Sequence, residues 1–226
     1  MFYVMLENCP IVLARGVDID NFLDVSPIIS DNRELGVEVK RGPLDASLTY
    51  FWSSSDFGQR LVINADGIFD LRREAVEIEG LEINLGVETP VPGLKVAVGY
   101  SNLEGRVDTD GDGAVDDELD GSNISPDRLN LSANYESGPF SAVAQAQFYL
   151  SRKFDGQPNS ADFEGYTLVN AQVRYETSMG AFSLSAQNLF DEYYIGYDSD
   201  TVRTTSDSRF YAGRGRTVTV GWDWRF

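Results

Sequence analysis

Histidine is absent from this 226-residue chain, and cysteine occurs only once, as Cys9. A disulfide within the chain is therefore excluded, and so are metal sites built from His and Cys. Acid–base catalysis by histidine is excluded for the same reason, which removes most hydrolase mechanisms.

Basic residues are few. The chain has 18 Lys and Arg against 36 Asp and Glu, and its formal net charge is −18. Proteins that bind nucleic acid need a basic face, so a nucleic-acid partner is not expected. An acidic surface suits solubility, cation accumulation or loops that face a divalent-rich exterior, and it also suits a merely solvated protein.

Long hydrophobic runs are missing as well. No stretch of 18 or more apolar residues occurs, which excludes a transmembrane helix but not a transmembrane β-barrel. The N-terminal segment 1–16 has no basic start, carries Glu7 and is interrupted by Pro10, so it does not resemble a secretion signal. Since an outer-membrane protein must be exported, the chain is expected to be a fragment or to have a misassigned gene start.

The chain does contain a strong alternation of apolar and polar residues. Residues 81–88 place Leu, Ile and Val at odd positions and Glu, Asn and Gly at even ones, and the pattern recurs at 94–101, 140–151, 169–175 and 217–226. A period of two indicates β-strands. The predicted strands are 33–41, 44–64, 67–88, 93–105, 124–136, 139–153, 164–176, 181–195 and 209–226.

These strands are long, and their connections alternate in length. Short turns are predicted near 41–43, 89–93, 137–139 and 178–180, and long polar loops at 106–123, 154–163 and 196–208. Long strands with one apolar face, joined in this way, favour an all-β, antiparallel transmembrane β-barrel over a soluble β-sandwich. Aromatic residues near strand ends suit interfacial girdles, although aromatics are also common in any strand. They are Tyr50, Trp52, Tyr100, Trp222 and Trp224.

The C-terminal motifs resemble those of TonB-dependent receptors. Residues 188–194, Asn-Leu-Phe-Asp-Glu-Tyr-Tyr, resemble the NLFD-x-x-Y segment of that family, and Gly-Arg-Gly-Arg at 213–216 follows at a similar spacing. The final alternating strand resembles the signal that the barrel assembly machinery recognises. Its expected signal residues are Trp222, Trp224 and Phe226.

Earlier segments resemble the siderophore branch of this family. They are Arg-Glu-Leu-Gly-Val at 33–37, Glu-Gly-Leu-Glu at 79–82 and Phe-Glu-Gly-Tyr-Thr at 163–167, and the whole resemblance covers about residues 15–226. It implies a 22-stranded barrel that holds a plug domain. About 9–10 of those strands and no plug are expected here, with residues 1–32 as an outer loop and partial strand and residues 33–226 as the C-terminal barrel segment.

The resemblance also implies a function without catalysis, so the protein is not expected to be an enzyme. The chain is expected in the bacterial outer membrane, among its lipids, as part of a receptor for a ferric siderophore of the hydroxamate or aerobactin-like kind. The TonB complex would engage the receptor through the plug domain. Residues expected to contact an anionic ferric chelate, by charge-assisted bonds and stacking, are Arg152, Tyr194, Tyr197, Arg203 and Tyr211. Each of these residues could instead be an ordinary residue of the barrel rim that contacts no ligand.

An acidic loop at 108–118 resembles the start of a calcium site. Oxygen ligands alternate along it and Gly113 stands at the sixth position. The twelfth position, however, is Leu119 rather than a bidentate Glu, and no flanking helices are expected. Two interpretations therefore remain open: a bound calcium ion in this outer loop, or a merely solvated acidic turn. The expected ligands are Asp108, Asp110, Asp112 and Asp116.

Other functions remain open at this stage. A small self-standing barrel of about 8–10 strands would act as a porin-like channel or an adhesin. The parent receptor could instead carry another nutrient, such as cobalamin or a glycan. A secreted calcium-binding β-protein is a third alternative, but the apolar strand faces disfavour it because exposed patches of that size would aggregate.

Overall fold

A computed structural model describes residues 28–63, 69–154, 160–201 and 211–224. Ten strands and one short helix lie in these ranges. They are β1 (Asp31–Arg41), β2 (Leu44–Ile63), β3 (Phe69–Glu88), β4 (Leu94–Val107), β5 (Asp117–Glu118), β6 (Arg128–Ser137), β7 (Phe140–Tyr149), β8 (Tyr166–Thr177), β9 (Gly180–Gln187), α1 (Tyr197–Thr201) and β10 (Thr217–Trp224).

The strands form one antiparallel sheet in the order β1-β2-β3-β4-β6-β7-β8-β9-β10, with the two-residue β5 paired to β4. Each long strand therefore pairs with its neighbour in sequence, as in an up-and-down barrel. Within the described ranges β1 does not pair with β10, so the sheet is unclosed. This confirms the predicted partial antiparallel barrel and does not support a small barrel closed on itself.

The strand register gathers the apolar side chains on one face of the sheet, called here the apolar face. Val37 lies opposite Leu48, and Leu48 opposite Ile83. Farther along, Leu131 lies opposite both Val98 and Ala146. Residues directly opposite in an antiparallel pair point the same way, so the alternation of every strand adds to one continuous band. Many of its large side chains are exposed, including Leu35 at 70% and Val220 at 77%.

The other face, called here the polar face, carries amides, hydroxyls and charges. Asn84, Gln145 and Asn130 belong to it by register. Toward the short-turn end its described Lys and Arg side chains lie next to acids. Lys95 Nζ is 2.7 Å from Glu88 Oε1, Arg174 Nη1 is 2.7 Å from Asp223 Oδ2, and Lys40 Nζ is 2.5 Å from Glu38 Oε1.

Tight turns join alternate strand pairs as predicted. Gly42, with φ +57°, closes the β1–β2 turn, and Gly138, with φ +56°, closes the β6–β7 turn. Glycine adopts this left-handed conformation without the Cβ clash that other residues meet. The long connections all lie at the opposite end of the sheet, which agrees with the alternation of short and long loops read from the sequence.

Two strand predictions at the C-terminal end were wrong in extent. The strand predicted over 181–195 ends at Gln187, and the one predicted over 209–226 begins at Thr217 among the described residues. The cause is the turn at 188–191, where Asn188 and Asp191 take positive φ and leave the ladder. The predicted loops are also partly ordered, because 106–123 contains β5 and 196–208 contains α1.

The helix α1 has five residues. Across the described part of the chain, no helix has the length and apolar character to cross a membrane. The predicted boundary between 1–32 and 33–226 stays a prediction, because residues 1–27 lie outside the described ranges.

Candidate functional site

The long loops at the open end of the sheet pack into a single unit. Loop 108–127, loop segments 150–154 and 160–165, and segment 188–201 are together called the cap. At its centre, six buried side chains form the main hydrophobic cluster of the described residues. They are Val107, Leu119, Ile124, Phe154, Phe163 and Tyr197. Within the part of the chain that the structure describes, loops from three strand pairs meet in this cluster and together exclude water.

The cap lies over the polar face of the sheet. Val107 is paired with Val76, which stands on the same face as Ile78, and both pack against the buried cluster. Leu103 joins them from β4. Apolar residues at the open end of the otherwise polar face thus provide the surface on which the loops fold. The cap is therefore held inward, over the side that a closed barrel would turn to its lumen.

Arg152, a predicted ligand contact, joins separate parts of the cap. Its Nη1 donates to the carbonyl oxygens of Leu103, at 2.9 Å, and Ser125, at 3.0 Å. The guanidinium carbon also lies 5.8 Å from the centre of the Phe154 ring. Its backbone pairs with Phe163 as an isolated bridge. Both of these side-chain hydrogen bonds are made to the protein's own backbone.

A buried ion pair joins the two strands of the β2–β3 hairpin, and an amide joins this hairpin to the cap. Arg60 Nε donates to Glu74 Oε2 at 2.5 Å, and their side chains are 10% and 11% exposed. The side chain of Asn123, in the cap, bonds both backbone groups of Leu61 in β2. The hairpin therefore supports the cap from one side.

Tyr197, another predicted ligand contact, is buried in the cap. Its hydroxyl donates to the carbonyl oxygen of Ile124 at 2.7 Å. Burial raises the pKa of the Tyr197 phenol to about 12; the charge of Arg152 opposes this shift, and the charges of Asp198 and Asp120 add to it. The neutral, hydrogen-bonded phenol holds α1 against loop 108–127.

A cavity of about 340 Å³ opens where α1 meets the ends of β6, β7 and β8. Arg128, Tyr149, Tyr166, Tyr197 and Asp198 contribute to its lining. Arg128 pairs in register with Tyr149, and Tyr149 with Tyr166, so all three belong to the polar face. Such a recess, partly aromatic and partly polar, is the kind of place where small ligands bind.

Three tyrosine rings stack beside this cavity. The ring centres of Tyr149 and Tyr166 are 4.5 Å apart, and those of Tyr166 and Tyr194 are also 4.5 Å apart. The planes are inclined by 31° and 38°. Gly213 lies so close to the Tyr194 ring that a Cβ there would come within 2.0 Å of it. The third ring is thus covered by backbone, which fixes its orientation.

The predicted contact residues divide into two groups. Arg152, Tyr194 and Tyr197 come together around the cap and the cavity. Tyr211 is 65% exposed and is not in the cavity lining, and Arg203 lies outside the described residues. Their contact with a ligand stays a prediction.

Arg128, Tyr149 and Tyr166 were not singled out from the sequence, although the alternation of their strands was a usable signal. It places all three on the polar face, each at the loop-proximal end of its strand. A search restricted to such positions would have found them.

The acidic loop brings three of the four predicted calcium ligands together. Carboxylate oxygens of Asp108, Asp110 and Asp112 lie within 4.8 Å of one another, whereas Asp116 is not in this group. Asp108 accepts from the backbone N–H of Gly111 at 2.7 Å and of Gly113 at 3.0 Å. The carboxylates therefore order the turn through its own backbone, and calcium binding stays a prediction.

The Asn-Leu-Phe-Asp motif forms a cross-linked turn. The Asn188 side chain is 6% exposed; its Nδ2 donates to the carbonyls of Glu192, at 2.9 Å, and Arg214, at 3.1 Å, and its Oδ1 accepts from the Glu192 N–H. Asp191 Oδ1 accepts from the N–H of Arg216 at 2.7 Å. The motif thus ties the end of β9 to the start of β10.

The expected assembly signal lies at the short-turn end of the apolar face. The Trp222 ring packs edge-on against the Phe182 ring, with 3.7 Å between the ring centres. The ring centres of Trp222 and Trp224 are 5.9 Å apart. The two indoles are 42% and 64% exposed. Phe226 lies outside the described residues, and recognition by the assembly machinery stays a prediction.

Comparisons with known proteins extend this picture. A family model described as "TonB dependent receptor-like, beta-barrel" matches residues 15–189. The copper transporter OprC is similar in structure, with a TM-score of 0.73, 15% identity, and coverage of 90% of this chain and 32% of that one. The ferric-catecholate import receptor Fiu from E. coli K12 gives a TM-score of 0.61 and 22% identity, over 93% of this chain and 29% of that one.

The ferric citrate transporter FecA, in its unliganded form, gives a TM-score of 0.63 and 20% identity, over 84% of this chain and 30% of that one. At these identities the likeness shows a shared fold. The chain spans less than a third of the length of each of these three structures.

Proposed function

Because the chain belongs to the TonB-dependent receptor β-barrel family of the bacterial outer membrane, we propose that it is the C-terminal barrel portion of a receptor that takes up a ferric siderophore. The family consists of receptors and transporters rather than enzymes. The apolar face then meets lipid, and the polar face and the cap meet the lumen and its mouth.

The observation that carries this proposal is the cavity beneath the cap. A channel for general diffusion needs an open lumen, whereas this chain places folded loops and a lined recess over the lumen side. Tyr149 and Tyr166 supply aromatic surface to the cavity lining, and Arg128 supplies a guanidinium, which suit a compact chelate of mixed polarity. Capture of a solute before transport requires such a site.

Passage through the membrane needs parts that are proposed rather than described. In this proposal a plug domain fills the lumen, and the TonB complex engages that plug to release the captured chelate. The barrel assembly machinery inserts the chain by way of the strand that carries Trp222 and Trp224. The resemblance of the segments at 33–37, 79–82 and 163–167 favours a hydroxamate or aerobactin-like chelate.

Uptake of radioiron by the source bacterium tests the proposal. A strain lacking the coding region is compared, under iron limitation, with the same strain in which the region is restored. The panel contains a ferric trihydroxamate, a ferric citrate-based chelate and a ferric tris-catecholate. We expect uptake of one ferric chelate to be lost and then restored. Unchanged uptake of all three would contradict the proposal.

Two further measurements separate the alternatives. Loss of copper or cobalamin uptake in the deletion strain, with iron uptake unchanged, would assign the receptor to another nutrient, and copper is included because OprC is a copper transporter. Loss of general permeability to small solutes would instead indicate a porin-like channel.

A further inference from the structure

The cavity beneath the cap has almost no net charge. Among its lining residues, Arg128 is the one base and Asp198 the one acid. Two other described arginines at this end are engaged with the protein, because Arg152 donates to two carbonyls and Arg60 is paired with Glu74. A ligand in this cavity therefore meets one arginine with no ion pair among the described residues, and one carboxylate beside it.

The loops that form the mouth are strongly acidic. Residues 108–127 contain eight acids and no Lys or Arg, and residues 188–201 contain four acids and again no base. The remaining cap segments, 150–154 and 160–165, add the acids Asp162 and Glu164 and the bases Arg152 and Lys153, so acids still predominate. Several of these groups are exposed, including Asp110, Asp112 and Asp198. Acidic groups concentrated around an opening lower the local concentration of anions and raise that of cations. A multiply charged anion is thus repelled on approach and finds one guanidinium on arrival.

The walls below the cavity suit an uncharged polar ligand. The polar face next to Arg128 and Tyr166 carries the neutral amides Asn130, Gln147 and Asn170. Amides both donate and accept hydrogen bonds, and the stacked tyrosine rings add apolar contact area. Neither feature requires a charge on the ligand.

Resting on the proposed function, we propose that this cavity takes a ferric trihydroxamate without net charge and rejects polyanionic ferric chelates. Arg128 donates to an oxygen of the chelate, and the rings of Tyr149 and Tyr166 lie against its carbon chain. An aerobactin-like chelate carries uncompensated carboxylates and a simple trihydroxamate does not, so the cavity should accept the trihydroxamate and reject the aerobactin-like chelate.

Binding of radioiron chelates to outer-membrane preparations tests this inference. Preparations come from the source bacterium with and without the coding region, and the difference gives binding by this protein. The probes are an uncharged ferric trihydroxamate, a ferric citrate-based chelate and a ferric tris-catecholate, each at low and high salt. We expect tight binding of the trihydroxamate with little salt dependence. The two anionic chelates should bind more weakly, and their binding should improve as salt screens the acidic loops.

Variants locate the site. Arg128→Gln removes the guanidinium and should weaken trihydroxamate binding about tenfold, the effect of losing one charge-assisted hydrogen bond. Arg106→Gln is the matched control, since Arg106 lies near the same end of the sheet but on the opposite face by register. Glu192→Gln removes an exposed acid of segment 188–201 that does not line the cavity, so it should leave trihydroxamate binding unchanged and improve binding of the anionic chelates.

The outcomes are distinct. Tighter binding of an anionic chelate that weakens as salt is raised overturns the inference and leaves the proposed function intact. Equal effects of Arg128→Gln and Arg106→Gln also overturn it. No specific binding of any ferric chelate overturns the proposed function together with this inference.

Discussion

The side-chain amide of Asn123 pairs with both backbone groups of Leu61. Its Oδ1 accepts from the Leu61 N–H at 3.0 Å, and its Nδ2 donates to the Leu61 carbonyl at 3.0 Å. A single side chain thereby reproduces the two hydrogen bonds that a neighbouring strand would supply. The same Nδ2 also donates to Asp120 at 2.6 Å, which holds the amide in place.

Replacing Asn123 with Leu should loosen the contact between the cap and the β2–β3 hairpin. Two backbone groups lose their partner, at a local cost of about 1–3 kcal/mol. Hydrogen exchange should become faster at Leu61 and over residues 119–124. Asn134→Leu is the control, because Asn134 is an exposed amide on β6 with no side-chain bond of this kind among the described residues. Unchanged exchange in the Asn123 variant would refute the bridging role.

Replacing Asn188 should destabilise the junction of β9 and β10. Asn188→Ala loses the bonds to Glu192 and Arg214 and also puts a Cβ-bearing residue without a local side-chain bond at φ +48°. We expect a loss of at least about 2 kcal/mol in unfolding free energy. Asn188→Gly should lose less, since glycine accepts positive φ. Equal losses for the two variants would show that backbone conformation plays no part.

Charge should be tolerated on one face of β6 and not on the other. Leu131→Arg places a cation on the apolar face, between Val98 and Ala146, and should cost about 2–4 kcal/mol near the bilayer midplane. Asn130→Arg, one residue away on the polar face, should cost far less. The measurement is the urea dependence of unfolding in lipid vesicles. Equal costs would be incompatible with an apolar face that meets lipid.

High pH should open the cap. Because the pKa of Tyr197 is raised to about 12 in the folded state, the folded protein keeps this proton while the unfolded chain loses it near the ordinary tyrosine value of about 10. The contribution of Tyr197 to stability is therefore complete below pH 10 and is lost as pH rises toward 12. Hydrogen exchange or proteolysis of residues 119–124 at rising pH measures it. Tyr197→Phe should remove part of this dependence, and an unchanged pH profile would contradict the assignment.

Calcium should protect loop 108–127 if the sequence-based expectation holds. The carboxylates of Asp108, Asp110 and Asp112 already converge, so the ion would need little rearrangement. We expect added calcium to slow proteolysis of this loop, magnesium at equal ionic strength to have a smaller effect, and Asp110→Asn to remove the calcium effect. Equal effects of both ions, or none, would leave a solvated acidic turn as the correct description.

Much of the sheet was predictable because each strand repeats one simple rule. Alternating side chains separate the apolar face from the polar face, so the strands that carry Leu48, Ile83 and Leu131 could be located from the sequence. The order of the strands follows from the short turns, which pair neighbours in sequence. The strand ends near Gln187 and Thr217 were not found. There the side chains of Asn188 and Asp191 bind backbone groups that would otherwise pair between the strands. The alternation of apolar and polar residues does not reveal such side-chain bonds.

The candidate site was only partly predictable for a related reason. Tyr194 and Arg152 stood out as aromatic and basic residues in loops, but the partners of Arg152 are carbonyls 27 and 49 residues away in sequence. Contacts of that range depend on how three loops pack, which no local pattern encodes. Arg128 and Tyr166 entered the cavity because the register aligns their strand ends, and register required the structure.

The 20-residue length of β2 and of β3 has a consequence for what the cell exposes. At about 3.3 Å per residue and a tilt of about 45°, such a strand rises about 47 Å, against a hydrocarbon core of about 30 Å. Outer-membrane barrels have their short turns at the periplasmic side, so most of the excess is expected on the outside. The distal parts of β2 and β3, residues 57–62 and 71–75, are therefore expected to stand where antibodies and bacteriophages reach the intact bacterium, and their sequence is expected to be open to immune selection.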